Sequence, residues 1–90
     1  MDGVDDIRRP AAEDAMIESA VLAQLLALHP MRVTFEELLR EVAGQPEDFG
    51  QRDAVERAVR DLAGAGLVHR GDDFVVPSRA ALRFDELLGG

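Results

Sequence analysis

The chain has 90 residues, enough for one small domain with a single hydrophobic core, and its net charge is −8. All ten basic residues are arginines, and the absence of cysteine excludes a disulfide scaffold, a thiolate metal site and a cysteine nucleophile. The longest apolar stretch is far too short to span a membrane, and the acidic start of the chain lacks the pattern of a secretory signal, so we expect a cytoplasmic protein.

The first predicted helix covers residues 13–28 and follows a polar segment, residues 1–12, that we predict to be an acidic flexible arm. Apolar residues recur along the helix at helical spacing, and Leu22 and Leu26 add a second apolar edge. The resulting stripe is wider than one small core needs. Two interpretations stay open: a helix buried in the centre of the domain, or a helix whose second edge contacts another subunit.

A local signature marks the start of a second helix. Thr34 and Glu37 have the spacing of a capping box, in which each side chain accepts a hydrogen bond from the backbone N–H of the other residue. Val33 and Leu38 occupy the two positions of a hydrophobic staple. Gly44 is expected to end this helix.

A third helix is predicted after the turn at residues 45–50, with Asp48 as a candidate N-cap. Its buried face is a single apolar stripe at helical spacing, formed by Val55, Ala58, Val59 and Leu62. The glycines at positions 64 and 66 are expected to end it, because glycine readily adopts the left-handed conformation that follows a helix.

Beyond the third helix the apolar pattern indicates a β-hairpin. Residues 67–70 and 73–76 resemble short strands, with Gly71 and Asp72 as the turn between them. Ser78 is a suitable N-cap for a last helix over residues 79–88. One domain, residues 13–88, is therefore expected, followed by a flexible end at residues 89–90.

The predicted order is helix, short strand, helix, helix, hairpin, helix, which is a mainly α fold with a small β-hairpin (α+β). This order resembles the winged helix-turn-helix superfamily of bacterial transcription regulators. The resemblance is carried by the helices at residues 34–42 and 51–62, by the junction LAGAGLVHR at residues 62–70, and by the hairpin that follows, which would be the wing. It covers about residues 14–88.

The resemblance implies binding of double-stranded DNA, with the helix at residues 51–62 in the major groove. Gln51 and Arg52 then become the candidates for base contacts, since these side chains can bind adenine and guanine through two hydrogen bonds. Candidates for phosphate contacts are Arg57, Arg60 and Arg70.

The charge pattern favours a different partner. Residues 51–73 hold four arginines and five carboxylates, whereas a DNA-binding surface usually carries a basic patch. The spacing predicts ion pairs one helical turn apart within the third helix, namely Asp53–Arg57, Glu56–Arg60 and Arg57–Asp61. The alternative is an acidic winged-helix module that binds a protein and does not bind DNA.

Catalytic and metal-binding patterns are missing from the sequence. His29 and His69 are isolated, and neither has the neighbouring ligands that a metal site needs. Adjacent carboxylates such as Asp72 and Asp73 are common in turns. We therefore expect a protein that is not an enzyme and holds no cofactor and no metal.

A homodimer is the remaining expectation. Terminal helices pair two subunits in many winged-helix regulators, and both terminal helices here carry an excess of apolar residues. The predicted dimer interface comprises Leu22, Leu26, Phe84, Leu87 and Leu88.

Overall fold

The computed structural model describes the backbone of residues 2–43 and 49–90, and the side chains of residues 13–43 and 50–90. In this part of the chain it contains four helices and three short strands, in the predicted order. The elements are α1 (Asp2–Leu28), β1 (Val33–Thr34), α2 (Phe35–Ala43), α3 (Phe49–Gly64), β2 (Val68–Arg70), β3 (Phe74–Pro77) and α4 (Arg79–Leu87). The expectation of a mostly helical α+β fold is confirmed.

Helix α1 begins at Asp2, well before the predicted start near Glu13, so the segment expected to be an arm has helical backbone. Residues 1–12 were predicted to be an arm because they are polar and acidic and contain Pro10. Its ring nevertheless fixes φ near a helical value, so one proline removes a hydrogen bond without forcing the helix to end. The predicted stop at Gly44 and the N-cap at Asp48 lie outside the described residues.

The capping box at the start of α2 is confirmed. The backbone N–H of Glu37 donates to Thr34 Oγ1 at 3.1 Å, and the backbone N–H of Thr34 donates to Glu37 Oε1 at 3.0 Å. The Thr34 hydroxyl also donates to Glu37 Oε1, at 2.9 Å. Val33 and Leu38 are both buried in the core, as expected for the staple.

Helix α3 ends in a Schellman motif, which confirms the expectation that a glycine in the segment 64–66 takes the left-handed conformation. Gly66 has a φ of +82°, and its N–H donates to the carbonyl of Ala63 at 3.1 Å. The N–H of Leu67 reaches back to the carbonyl of Leu62 at 2.9 Å. The carbonyl of Leu67 accepts from Ser78 N–H at 2.8 Å, so the two ends of the following hairpin meet at this residue.

The three strands form one antiparallel sheet in the order β1-β3-β2, with Val33 opposite Val75 and His69 opposite Val76. Three residues, 71–73, connect β2 to β3, one more than the two-residue turn that the sequence suggested. Asp73 directly precedes β3, and its carbonyl accepts from the N–H of Phe35 at 2.9 Å, at the start of α2. The hairpin loop is thereby attached to the helix that precedes α3.

The core lies between α1, the first turns of α2, one face of α3 and the inner side of the sheet. Helix α1 contributes Val21 and Leu25, whose side chains are fully enclosed. The predicted stripe on α3 is confirmed as buried. The other buried apolar residues of this cluster are Val33, Phe35, Leu38, Leu39, Val68 and Val75.

Helix α4 begins as predicted, with Ser78 Oγ accepting the N–H of Ala81 at 3.1 Å. Only Ala81 of this helix is fully buried, although its apolar residues suggested one continuous packed side. Phe84, Leu87 and Leu88 point largely into solvent. None of the described helices combines the length and the apolar character needed to cross a membrane.

Candidate functional site

The exposed side of α3 carries three of the five predicted contact residues at its solvent-facing positions. Burial of Val55 and Val59 turns Arg57 and Arg60 outward on the opposite side, and Gln51 is exposed in the first turn. Arg52 is half-buried near the start of the helix. Arg70, at the end of β2, is the fifth residue, and it approaches Arg52 from the hairpin.

The ring of Phe35 brings Arg52 and Arg70 together. Phe35 is 6% exposed at the first position of α2. The guanidinium carbon of Arg70 lies 4.7 Å from the ring centroid, and that of Arg52 lies 5.5 Å away. Both distances are within the range of cation–π attraction. The structure therefore joins two arginines that lie 18 positions apart in the sequence.

Each of these arginines is also bound by a carboxylate. Arg52 donates to Glu36 through both terminal nitrogens, Nη2 to Oε2 at 2.6 Å and Nη1 to Oε1 at 3.3 Å. Arg70 donates to the two carboxylate oxygens of Glu56 at 3.3 and 3.4 Å. This two-bond geometry is also how arginine binds a phosphate, so Glu36 and Glu56 occupy the positions that phosphate oxygens would take.

The Glu36–Arg52 pair also affects proton affinity. The hydrogen bond from Arg52 lowers the pKa of Glu36, and the hydrogen bond to Glu36 raises the pKa of Arg52. Both side chains therefore keep their charges at neutral pH.

The two ion pairs line an open cleft between α2, α3 and the hairpin, which we call the acidic cleft. Its lining residues are Thr34, Phe35, Glu36, Arg52, Glu56, Arg70, Asp72 and Asp73. Four carboxylates and two guanidiniums give the acidic cleft a formal charge of −2. The hairpin loop accounts for the excess, because Asp72 and Asp73 both face the cleft.

The ion pairs predicted within α3 do not form. Arg57 instead donates to Asp14 of α1 at 3.1 Å, and Glu56 binds Arg70 rather than Arg60. Arg60 is exposed and forms no ion pair with any side chain that the structure describes. The prediction was wrong because tertiary packing gives two of these side chains partners in other elements, Asp14 of α1 for Arg57 and Arg70 of β2 for Glu56.

Sequence reasoning missed Asp14, Glu36 and Phe35 as members of this surface. Asp14 and Arg57 are separated by 43 positions, and Glu36 and Arg52 by 16, so no helical or strand periodicity connects them. The apolar pattern of α2 indicates that Phe35 is a core residue, and it does not indicate the contacts with Arg52 and Arg70. No local sequence pattern therefore identifies these three residues as members of this surface.

The residues predicted for a dimer interface fall into two groups. Leu22 is partly buried and packs against the core. Leu26 lines an open groove between α1 and α4 with Ala23, Ala27, Asp85 and Gly90. The second group is strongly exposed: Phe84 and Leu87 of α4 are 63% and 67% exposed, and Leu88, the C-cap of α4, is 71% exposed.

Comparison of the chain with protein-family models, with curated proteins and with solved structures finds no match to any of them. Within the described residues, no three histidine or carboxylate side chains are grouped closely enough to hold a metal ion.

Proposed function

We propose that this protein is a non-enzymatic winged-helix module, in which β2 and β3 form the wing, and that it binds another protein through the acidic cleft and α3. The order of helices and strands supports the winged-helix assignment. The observation that carries the choice of partner is the pairing of Arg52, Arg57 and Arg70 with carboxylates.

Arginines that are already paired with carboxylates are poor contacts for DNA, for two reasons. A phosphate would have to displace Glu36 or Glu56 from a two-bond contact, and the gain from the new ion pair is reduced by the loss of the old one. The displaced carboxylates would then remain beside the DNA backbone. With a formal charge of −2 in the acidic cleft and −8 on the whole chain, approach of a polyanion is repelled over a Debye length.

The same charges are suited to a partner with a basic surface. Lysine or arginine side chains of a partner would contact Glu36, Asp72 and Asp73 without displacing the internal pairs. Such a complementary potential mainly increases the association rate and the specificity.

Binding of duplex DNA is the second candidate, and one observation favours it. Arg60 is exposed on α3 without an ion pair to a described side chain, at a position where it could contact phosphate. In that case Gln51 and Arg52 would be closest to the bases, as the resemblance implies, with Arg57 and Arg70 released from their carboxylates.

Two titrations distinguish the candidates. Fluorescence anisotropy of a labelled generic duplex, titrated from low to physiological salt, should show no binding at physiological salt. An NMR titration of the isotope-labelled protein with a short oligo-arginine peptide should shift the amides of Glu36, Glu56, Asp72 and Asp73, with an affinity that falls as salt rises.

Neutralising variants provide the matched control for the peptide titration. Asp72→Asn with Asp73→Asn should weaken the binding, whereas Glu13→Gln with Glu18→Gln, which removes the same charge from α1, should leave it nearly unchanged. Steep salt-dependent binding of the duplex that is lost in Arg60→Ala would instead establish the DNA candidate.

A further inference from the structure

The solvent side of the hairpin carries apolar side chains. Val75 is buried on the core side of β3, so the alternation of side chains along a strand turns Phe74 and Val76 to the other side. Phe74 is 38% exposed and Val76 is partly exposed. A sheet face that is turned to water usually carries polar side chains. These two residues therefore form an apolar strip that the described chain leaves partly uncovered.

This strip is the floor of a second open cleft, of about 550 Å³, which we call the outer cleft. The outer cleft shares three lining residues with the acidic cleft, namely Arg70, Asp72 and Asp73. Its other lining residues are Arg32, His69, Gly71, Phe74 and Val76. Because Arg70, Asp72 and Asp73 line both clefts, the two clefts meet at the hairpin loop.

The outer cleft differs from the acidic cleft in charge. Two arginines and two aspartates give it a formal charge of zero, compared with −2 for the acidic cleft. The guanidinium carbon of Arg32 lies 5.6 Å from the centroid of the Phe74 ring, and Arg32 forms no ion pair with a side chain that the structure describes. A planar guanidinium stacks well on aromatic rings. The outer cleft is therefore suited to an uncharged, aromatic side chain.

We propose that the partner presents one extended segment in which basic residues and an aromatic residue lie close together. The basic side chains enter the acidic cleft, and the aromatic side chain rests on Phe74 and Val76 in the outer cleft. This inference rests on the proposed function and adds the class of segment that the partner presents. Asp72 and Asp73 favour a peptide over a nucleic acid here, because the phosphates beside a stacked base would lie next to these carboxylates.

The hairpin loop allows one short segment to reach both clefts. A sheet occupies about 10 Å from face to face, and an extended chain advances about 3.3 Å per residue, so three to four residues cover that distance. Gly71 has no side chain, and no other part of the chain lies close to the position that its Cβ atom would take. The segment can therefore pass close to the backbone of the loop.

Three peptides of equal length test the proposal against the full chain. The first consists of four arginines, the linker Gly-Ser-Gly and a tryptophan, the second replaces the tryptophan by serine, and the third replaces the arginines by serines. In NMR titrations of the isotope-labelled protein at low salt, the first peptide should bind about tenfold more tightly than the second, because part of the indole surface is removed from water. It should also bind at least about tenfold more tightly than the third.

The position of the tryptophan can be observed directly. The chain has no tryptophan and no tyrosine, so indole fluorescence comes from the peptide alone and should shift to shorter wavelength on binding. The indole protons should show nuclear Overhauser effects to the side chains of Phe74 and Val76. This measurement uses the wild type and is independent of any effect of substitution on folding.

A substitution in the outer cleft provides the second test. Phe74→Ser should reduce the difference between the first and second peptides to about twofold or less. Phe84→Ser is the matched control, because Phe84 is an exposed phenylalanine of α4 that lines neither cleft, and it should keep the tenfold difference. Thermal melting of both variants establishes that they are folded.

The outcomes separate this inference from the proposed function. If the peptide of four arginines without tryptophan does not bind, the proposed function is wrong and the inference is overturned with it. If that peptide binds and the tryptophan adds no affinity, or if the added affinity survives Phe74→Ser, the proposed function stands and the inference is overturned. Contacts of the indole with another part of the protein would also overturn it.

Discussion

Replacement of Phe35 by alanine should remove a large part of the stability of the fold. The ring is 6% exposed and contacts both the core and two guanidinium groups. Truncation to the Cβ atom withdraws on the order of 130 Å² of buried apolar surface, or about 3 kcal/mol at roughly 25 cal/mol per Å². The cavity left behind places the total within the range of roughly 3–5 kcal/mol for such truncations.

Loss of the two cation–π contacts adds a smaller amount to the decrease in stability. Arg52 and Arg70 are partly exposed, so each contact is expected to contribute about 0.5–1 kcal/mol. A chain of this length has a total stability of roughly 5–13 kcal/mol. Phe35→Ala should therefore lower the urea midpoint markedly with an unchanged m-value, because native compactness is retained.

Far-UV circular dichroism is the appropriate detection, since the chain has no tryptophan and no tyrosine. Phe84→Ala provides the matched control: the same atoms are deleted from a ring that is 63% exposed, and a loss below about 1 kcal/mol is expected. The measurement is made at low micromolar protein so that association does not contribute. Equal losses from the two substitutions would refute the assignment of Phe35 as the residue that joins the core to the acidic cleft.

Three further predictions concern the local signatures. Gly66→Ala should lower the free energy of unfolding by about 1–2 kcal/mol, because alanine is strained at a φ of +82°. Gly64→Ala lies inside the helix with open space around it and should be neutral or stabilising. Thermal melting measures both effects. Ser78→Ala should cost about 1 kcal/mol in urea titrations, and Ser78→Asp should restore most of it, since aspartate is also an N-cap. Hydrogen bonds from the backbone and the hydroxyl of Thr34 lower the pKa of Glu37 from 4.5, so its contribution is present above pH 4.5 and is lost as the pH falls through the lower folded-state pKa. Glu37→Gln should flatten this acid limb of the stability curve, as measured by urea unfolding at a series of pH values.

Features that depend on a few neighbouring residues were predictable from the sequence. The capping box of Thr34 and Glu37, the cap at Ser78 and the left-handed glycine at position 66 each use hydrogen bonds that span three to five positions. Their chemistry is fixed before the chain folds, and the structure reproduces all of them. The order of the elements followed from these signals and from the buried stripe on α3.

Features that depend on the packing of distant elements were not predictable. The arginines of the candidate surface could be named, but not the carboxylates that bind them, because Asp14, Glu36 and Glu56 come from three different helices. Surface ion pairs are individually weak, so no sequence rule selects one carboxylate over another at similar distance. The extent of α1 was underestimated for a related reason: one proline alters a local preference, and it does not decide where a long helix ends.

The two ends of the hairpin meet at Leu67, so the length of its loop does not set the distance between α3 and α4. Since the N–H of Leu67 is held by the end of α3 and its carbonyl by Ser78 at the start of α4, residues between 67 and 78 leave and return at one point. Insertions or deletions in the exposed loop at residues 71–73 should therefore change the reach and charge of the hairpin without moving either helix. Val68 and Val75 of the hairpin are buried in the core and β3 pairs with β1, so the part that can vary is the exposed tip at residues 71–72. Variation confined to this tip would change the charge that the hairpin presents to a partner while the core stays the same.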